Sequence, residues 1–264
     1  MSTRRTTPIP VGILAGVGLV FLAIPLVGLL LRTPWSRLPD LLSSPVALEA
    51  LRLSLICSLS ATALAVIVGV PVAWVLARAR VRGATFVRAL VTLPLVLPPV
   101  VGGVALLLAF GRRGLIGQYL YDWFGVQLPF STAGVILAEA FVAMPFLVIT
   151  VEGALRSADP RFDEAAFTLG ASRWTVLRRV TLPLIAPALI AGTVLAWARA
   201  LGEFGATITF AGNLPGVTQT MPLAVYAALD TDREAAIALS LVLLIASLGV
   251  LLLLRDRYLR GASS

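Results

Sequence analysis

Residues 158–172 read ADPRFDEAAFTLGAS, a polar and partly charged run between two apolar stretches, Thr132 to Val151 and Leu182 to Ala198. Its residue types spell a short helix with both ends marked. Asp159 is a good N-cap, Pro160 suits the first helical position, and Asp163 and Glu164 place negative charge at the positive helix end. Gly170 provides a left-handed stop, and Ser172 can cap a second helix that carries Arg178 and Arg179 toward its C-terminal end. Phe162, Ala165, Ala166 and Leu169 fall at i, i+3, i+4 and i+7, one apolar stripe on a rod of about ten residues, too short to be stable alone in water. The stripe therefore has to rest on the rest of the chain, on the lipid headgroups, or in a groove of another protein.

The flanks of this run decide the class. With 59% hydrophobic and 13% charged residues in 264, and a mean hydropathy of +0.97, the chain is an all-α integral membrane protein. Apolar stretches at 11–31, 53–77, 89–110, 132–151, 182–204 and 235–254 are each near the roughly 20 residues a membrane helix needs, so six spans are expected in a single domain covering 1–264. The inner loop is then 152–181, and no soluble domain fits between spans.

All 21 basic residues are Arg, and there is no Lys or His. A phosphate-binding loop of the Walker type requires Lys, so this chain holds no ATP through that motif. The single Cys57 and the lack of His exclude Cys/His metal sites and Cys-His nucleophiles. With the N-terminus inside, the basic residues cluster inside: Arg4 and Arg5, then Arg78, Arg80, Arg82 and Arg88, then Arg156, Arg161, Arg173, Arg178 and Arg179, then Arg255, Arg257 and Arg260. Arg32, Arg37, Arg112, Arg113 and Arg233 lie outside, a bias that puts both termini in the cytoplasm. The net charge of +8 reads as topology and contact with anionic lipid, and no basic patch interleaved with aromatics points to nucleic acid. The first span has a longer apolar run than a signal peptide and no small-residue cleavage site after it, so it is expected to remain as an anchor.

Two segments within spans are unusual. LPLVLPPVVGG, Leu93 to Gly103, combines three prolines with two glycines and predicts a bent or locally unwound helix, either a tolerated kink or backbone lining a cavity. WARALGEFGATITFAGNLPG, Trp197 to Gly216, places Arg199 and Glu203 four apart, able to pair on one helix face. That pair either faces a transport path or fixes helix packing. Gly202, Phe204 and Gly205 surround Glu203, and Thr207 and Thr209 follow; small residues and hydroxyl donors suit a constriction that an oxyanion passes. Glu139 is a further intramembrane carboxylate, either protonated, paired with an Arg or facing a cavity.

EAAFTLGASRWTVLRRVTLP, Glu164 to Pro183, resembles the EAA loop of bacterial ABC importer permeases: Glu-Ala-Ala, three residues, Gly, nine residues, an aliphatic residue, any residue, Leu-Pro. Glu164, Ala165, Ala166, Gly170, Leu182 and Pro183 match, and Val180 stands where Ile is usual. The resemblance implies the type I importer permease fold, with the loop acting as a coupling helix in a cleft of a cytoplasmic ATPase that brings ATP and Mg. This chain itself is then no enzyme and carries no cofactor. ARALGEFGATITF, LPLVLPPVVGG and GRRGLIGQYLYDWFG together resemble the permease subunits of molybdate importers from about Glu49 to Leu254, and sulfate and thiosulfate permeases more loosely. That family implies a homodimer in the bacterial plasma membrane, an extracytoplasmic molybdate-binding protein, and a gate near Glu203 to Thr209. Two other classes compete. An ion-coupled transporter would use Glu139 or Glu203 and survive loss of an ATPase, but internal repeats are not apparent. An intramembrane enzyme would need a nucleophile and base brought together, and nothing in the sequence does so.

Overall fold

A computed structural model describes residues 8–79 and 82–261, with side chains described through residue 252. Arg4, Arg5 and Arg80, and the side chains of Arg255, Arg257 and Arg260, lie outside the described residues. The regular elements are helices: α1 (Ile9–Arg32), α2 (Leu38–Leu42), α3 (Pro45–Arg78), α4 (Ala84–Val96), α5 (Pro99–Phe110), α6 (Gly117–Phe124), α7 (Thr132–Ser157), α8 (Arg161–Thr168), α9 (Arg173–Val176), α10 (Leu182–Leu201), α11 (Gly205–Ala211), α12 (Met221–Thr231) and α13 (Arg233–Gly261).

Among the described residues five helical stretches are long and apolar enough to cross a membrane. The expected third span, 89–110, is not one helix. It is divided into α4 of 13 residues and α5 of 12, each shorter than the hydrocarbon core requires. The cause is local: Leu97 and Pro98 each precede a proline, which disfavours helical backbone, and both are extended at ψ 134° and 132°. The expected fifth span is also shorter than 182–204. α10 stops at Leu201, and α11 begins at Gly205 after a three-residue break. α7 runs to Ser157, so the loop expected from residue 152 starts six residues later, and Glu152 belongs to a helix.

α3, α7 and α10 form the core. Lipid tails give apolar side chains no reason to prefer a neighbouring helix, so packing depends on small residues that let backbones approach. Ala61, Ala65, Ala73, Ala140, Ala143, Ala196 and Ala200 supply them. A Cβ at Gly69 would meet Val148 and Met144 at 3.2 and 3.3 Å, and one at Gly192 would meet Thr150 and Leu147 at 3.1 and 3.2 Å. Cys57 is buried between α3 and α7 as a small core residue. α1 has no buried residue and touches the bundle along α13.

Candidate functional site

The two broken spans meet. α5 and α11, the halves that follow the breaks, lie against each other, and glycine permits the contact at both ends. A Cβ on Gly205 would fall 2.6 Å from the Cβ of Pro99, and one on Gly103 would fall 2.6 Å from the Cβ of Thr209 and 2.9 Å from the carbonyl oxygen of Ala206. The break at Pro98 is thereby keyed to the break at Gly202–Phe204.

Glu203 holds the second break in shape. Its side chain is 1% exposed, and its Oε1 accepts a 2.9 Å hydrogen bond from the Ala206 N–H, satisfying one of the free donors at the start of α11. Its Oε2 lies 2.5 Å from Nη2 of Arg199 in an ion pair. The four-residue spacing of Arg199 and Glu203 thus produces the pair it predicts, which ties the last turn of α10 to the break while the other Glu203 oxygen caps the first turn of α11. Phe204 packs against Tyr226 of α12 with ring centroids 5.2 Å apart and the rings tilted by 53°.

The two threonines differ in how their hydroxyls are engaged. Thr209 donates its hydroxyl to the Gly205 carbonyl of its own helix at 2.8 Å. Thr207 is fully buried, with an Oγ1 that has no partner among the described residues. Thr209 is thus engaged within its own helix, while Thr207 keeps a buried, unengaged hydroxyl among the described residues. Glu139 is buried in α7, and no arginine lies within ion-pair distance of it among the described residues.

The inner loop has the helix, bend and helix that its residues predict, with the cap shifted by one. Pro160 occupies the N-cap of α8, and Asp159 accepts the Arg161 N–H at 2.9 Å. Gly170 is left-handed at φ 81°, with Gly170 N–H donating to Phe167 and Ala171 N–H to Ala166, a Schellman stop. Ser172 accepts the Thr175 N–H and caps α9. Residues Leu177–Thr181 form a π-turn leading into α10. Pro183 lacks the N–H that would reach the Arg179 carbonyl and its ring crowds it, and the wider turn accommodates this. We expect Gly170→Ile to force a β-branched residue into this backbone at about 1–2 kcal/mol and to lower uptake while leaving membrane insertion intact, read by fractionation and transport.

The stripe of α8 points outward. Phe162 is 56% and Leu169 88% exposed, and Glu164 and Ala165 are exposed with them, while Ala166 is half-buried. Of the three supports open to this helix, the chain's own bundle is the one the structure excludes for Phe162, Ala165 and Leu169. Leu182 and Pro183 begin α10 after the π-turn.

Residues 65–260 match the family described as the binding-protein-dependent transport system inner membrane component. The chain belongs to this family. Members of the family similar to it include the molybdenum transport system permease protein ModB of Mycobacterium tuberculosis, 52% identical over 89% of this chain and 89% of that one. ModB of Escherichia coli K12 is 44% identical over 80% of this chain and 93% of its own length. The sulfate transport system permease protein CysT of Salmonella typhimurium is 36% identical over 94% and 92%. In fold, the chain is similar to a chain in the crystal structure of a bacterial ABC transporter involved in import of the acidic polysaccharide alginate, with a TM-score of 0.70 over 97% of this chain and 93% of that chain at 19% identity.

In this family member the bundle carries, where α3, α4 and α7 meet near Leu76, a charge cluster absent from the sequence-based expectations. Glu152 Oε1 pairs with Arg88 Nε at 2.7 Å and with Arg156 Nε at 2.9 Å. Both arginines also donate to the Leu76 carbonyl, at 3.0 and 3.3 Å, which satisfies a free acceptor at the end of α3. The i, i+4 spacing of Glu152 and Arg156 is a legible signal; Arg88 is 64 residues away and is not. Glu152→Gln should remove both pairs and lower thermal stability in detergent by about 1–3 kcal/mol, between the cost at exposed and at buried pairs.

Proposed function

We propose that the chain is the translocating subunit of an ATP-driven importer for molybdate or a similar tetrahedral oxyanion. Two copies form the pathway, cytoplasmic ATPase subunits bind Mg-ATP, and an extracytoplasmic binding protein delivers the substrate. Both termini face the cytoplasm, with the two halves α4 and α5 together making the third of six crossings. The observation that carries this reading is the pairing of an outward-facing apolar stripe on a short inner helix with two broken spans that contact each other at Gly205 and Pro99. A stripe unsupported by its own bundle calls for a partner groove. Broken spans keyed to one another form a bistable element that such a partner can bias. The absence of Lys leaves nucleotide binding by a Walker loop to that partner.

Coupling starts at α8. Closure of the ATPases moves α8, the π-turn passes the displacement into α10, and the Arg199–Glu203 pair carries it across the break to α11 and so to α5. Oxyanion selectivity toward molybdate is supported by the relatives at 52% and 44% identity, with the sulfate-transport relative at 36% as the second reading. Proteoliposomes containing the chain, its ATPase and the binding protein should accumulate labelled molybdate when ATP is present. Unlabelled tungstate should compete and sulfate should compete weakly. Uptake driven by an ion gradient without ATP would overturn the proposal.

A further inference from the structure

α8 presents Phe162, Ala165 and Leu169 outward, and the adjoining face that turns toward the bundle carries a carboxylate. Asp163 is mostly buried, with its side chain 19% exposed. Its Oδ2 lies 3.3 Å from Nη1 of Arg78, at the last position of α3, and its Oδ1 accepts a 3.1 Å hydrogen bond from the Thr181 hydroxyl. Thr181 is buried in the π-turn immediately before α10. Thus each oxygen of one carboxylate engages a different element, and these are the elements that lead to the two breaks. Through α10 the path runs to Gly202. Through α3 it runs to the Leu76 carbonyl, two residues from Arg78, where Arg88 of α4 is held and α4 ends at the proline break.

The geometry points to Asp163 as a positioning residue for transport, the latch that makes α8 move as one body with the ends of α3 and α10. Helices as short as α8 have little stability of their own, and the apolar side that would ordinarily anchor such a helix faces away from the bundle. Without the carboxylate, a push on α8 would tilt the helix about Gly170 and would reach neither break. A charge-assisted hydrogen bond and an ion pair, both partly shielded from water, are the strong contacts available to prevent this. The inference rests on the reading of α8 as the coupling helix given above.

The test uses the complete transporter in proteoliposomes. With Asp163→Asn, the ATPase should co-purify at the wild-type ratio, because the outward stripe is untouched, while molybdate imported per ATP hydrolysed should fall by at least about fivefold. Asp163→Glu, which keeps the charge, should restore a substantial part. Thr181→Val, nearly equal in volume, should give an intermediate loss that Thr181→Ser repairs. A role confined to stability would lower the amount of transporter without changing the import-to-hydrolysis ratio. In the isolated chain, hydrogen exchange across residues 161–169 should be about tenfold faster in Asp163→Asn than in the wild type. Wild-type ratios and wild-type exchange in Asp163→Asn would overturn the latch. Failure of the wild-type chain to bind any ATPase would instead overturn the coupling reading, and the exchange measurement would still report on the latch itself.

Discussion

Gly205→Val is expected to abolish uptake. A Cβ at this position falls 2.6 Å from the Cβ of Pro99 and 3.4 Å from the Val100 nitrogen, and the two further methyl carbons of valine have no space. Proline cannot rotate away, since its ring is part of the backbone, so α11 and α5 must separate. Overpacking of this kind costs about 1–3 kcal/mol, a modest part of the stability of a bundle whose main core lies elsewhere, in α3, α7 and α10. The chain should therefore still insert and purify, with a lowered melting temperature. The loss of transport should be much larger than the loss of protein, because the contact joins the two breaks. Gly103→Val presses on the other end of the same contact, against Thr209 and the Ala206 carbonyl, and should behave alike. Normal uptake by Gly205→Val would show that α5 and α11 are not a moving pair.

Truncating the stripe should have the second large effect, and on a different quantity. Phe162 and Leu169 make little use of the bundle, so Phe162→Ala with Leu169→Ala should leave the melting temperature of the isolated chain nearly unchanged, within about 0.5 kcal/mol. Apolar anchors at the centre of a protein interface commonly contribute about 2 kcal/mol or more each, and 1.4 kcal/mol is a factor of ten in affinity. Association with the ATPase should weaken by about a hundredfold or more in the double variant, measured by titration of the detergent-solubilised chain. Glu164→Lys, which reverses an exposed charge on the same helix, should weaken association without affecting insertion. Unchanged ATPase affinity in the double variant would place the docking surface elsewhere, and a stripe immersed in headgroups would then be the reading to pursue.

These two experiments probe features of different origin. The backbone breaks are legible because proline and glycine act locally. LPLVLPPVVGG interrupts its helix between Val96 and Pro99 for reasons contained in two successive X-Pro steps, and Gly170 takes the left-handed conformation that its place after an apolar stripe predicts. The Arg199–Glu203 pair is legible for the same reason, since four residues is one helical turn. In the fifth span, continuity of apolar character hides the break. ALGEFGATITF has no proline, so the break at Gly202–Phe204 depends on Glu203 folding back to cap Ala206, and hydropathy does not register that contact. The same holds for Thr209, whose hydroxyl looks available in sequence and is engaged by the Gly205 carbonyl in the fold.

The amino-acid sequence by itself determined that this chain is a bundle of membrane helices, where two of its backbone interruptions fall, that its inner loop is a helix stopped by Gly170, and that its nucleotide chemistry by a Walker loop must come from elsewhere. These follow from hydropathy, residue type and short-range spacing. Only the tertiary structure decided that the stripe of α8 faces outward while Asp163 faces in, that Pro99 meets Gly205, and that Arg88 reaches Glu152 across 64 positions. Helical periodicity says which residues share a face, but which face a neighbour covers depends on contacts between elements far apart in the chain. Such contacts arise from backbone approach at small residues, and the spacing along the sequence carries no record of them.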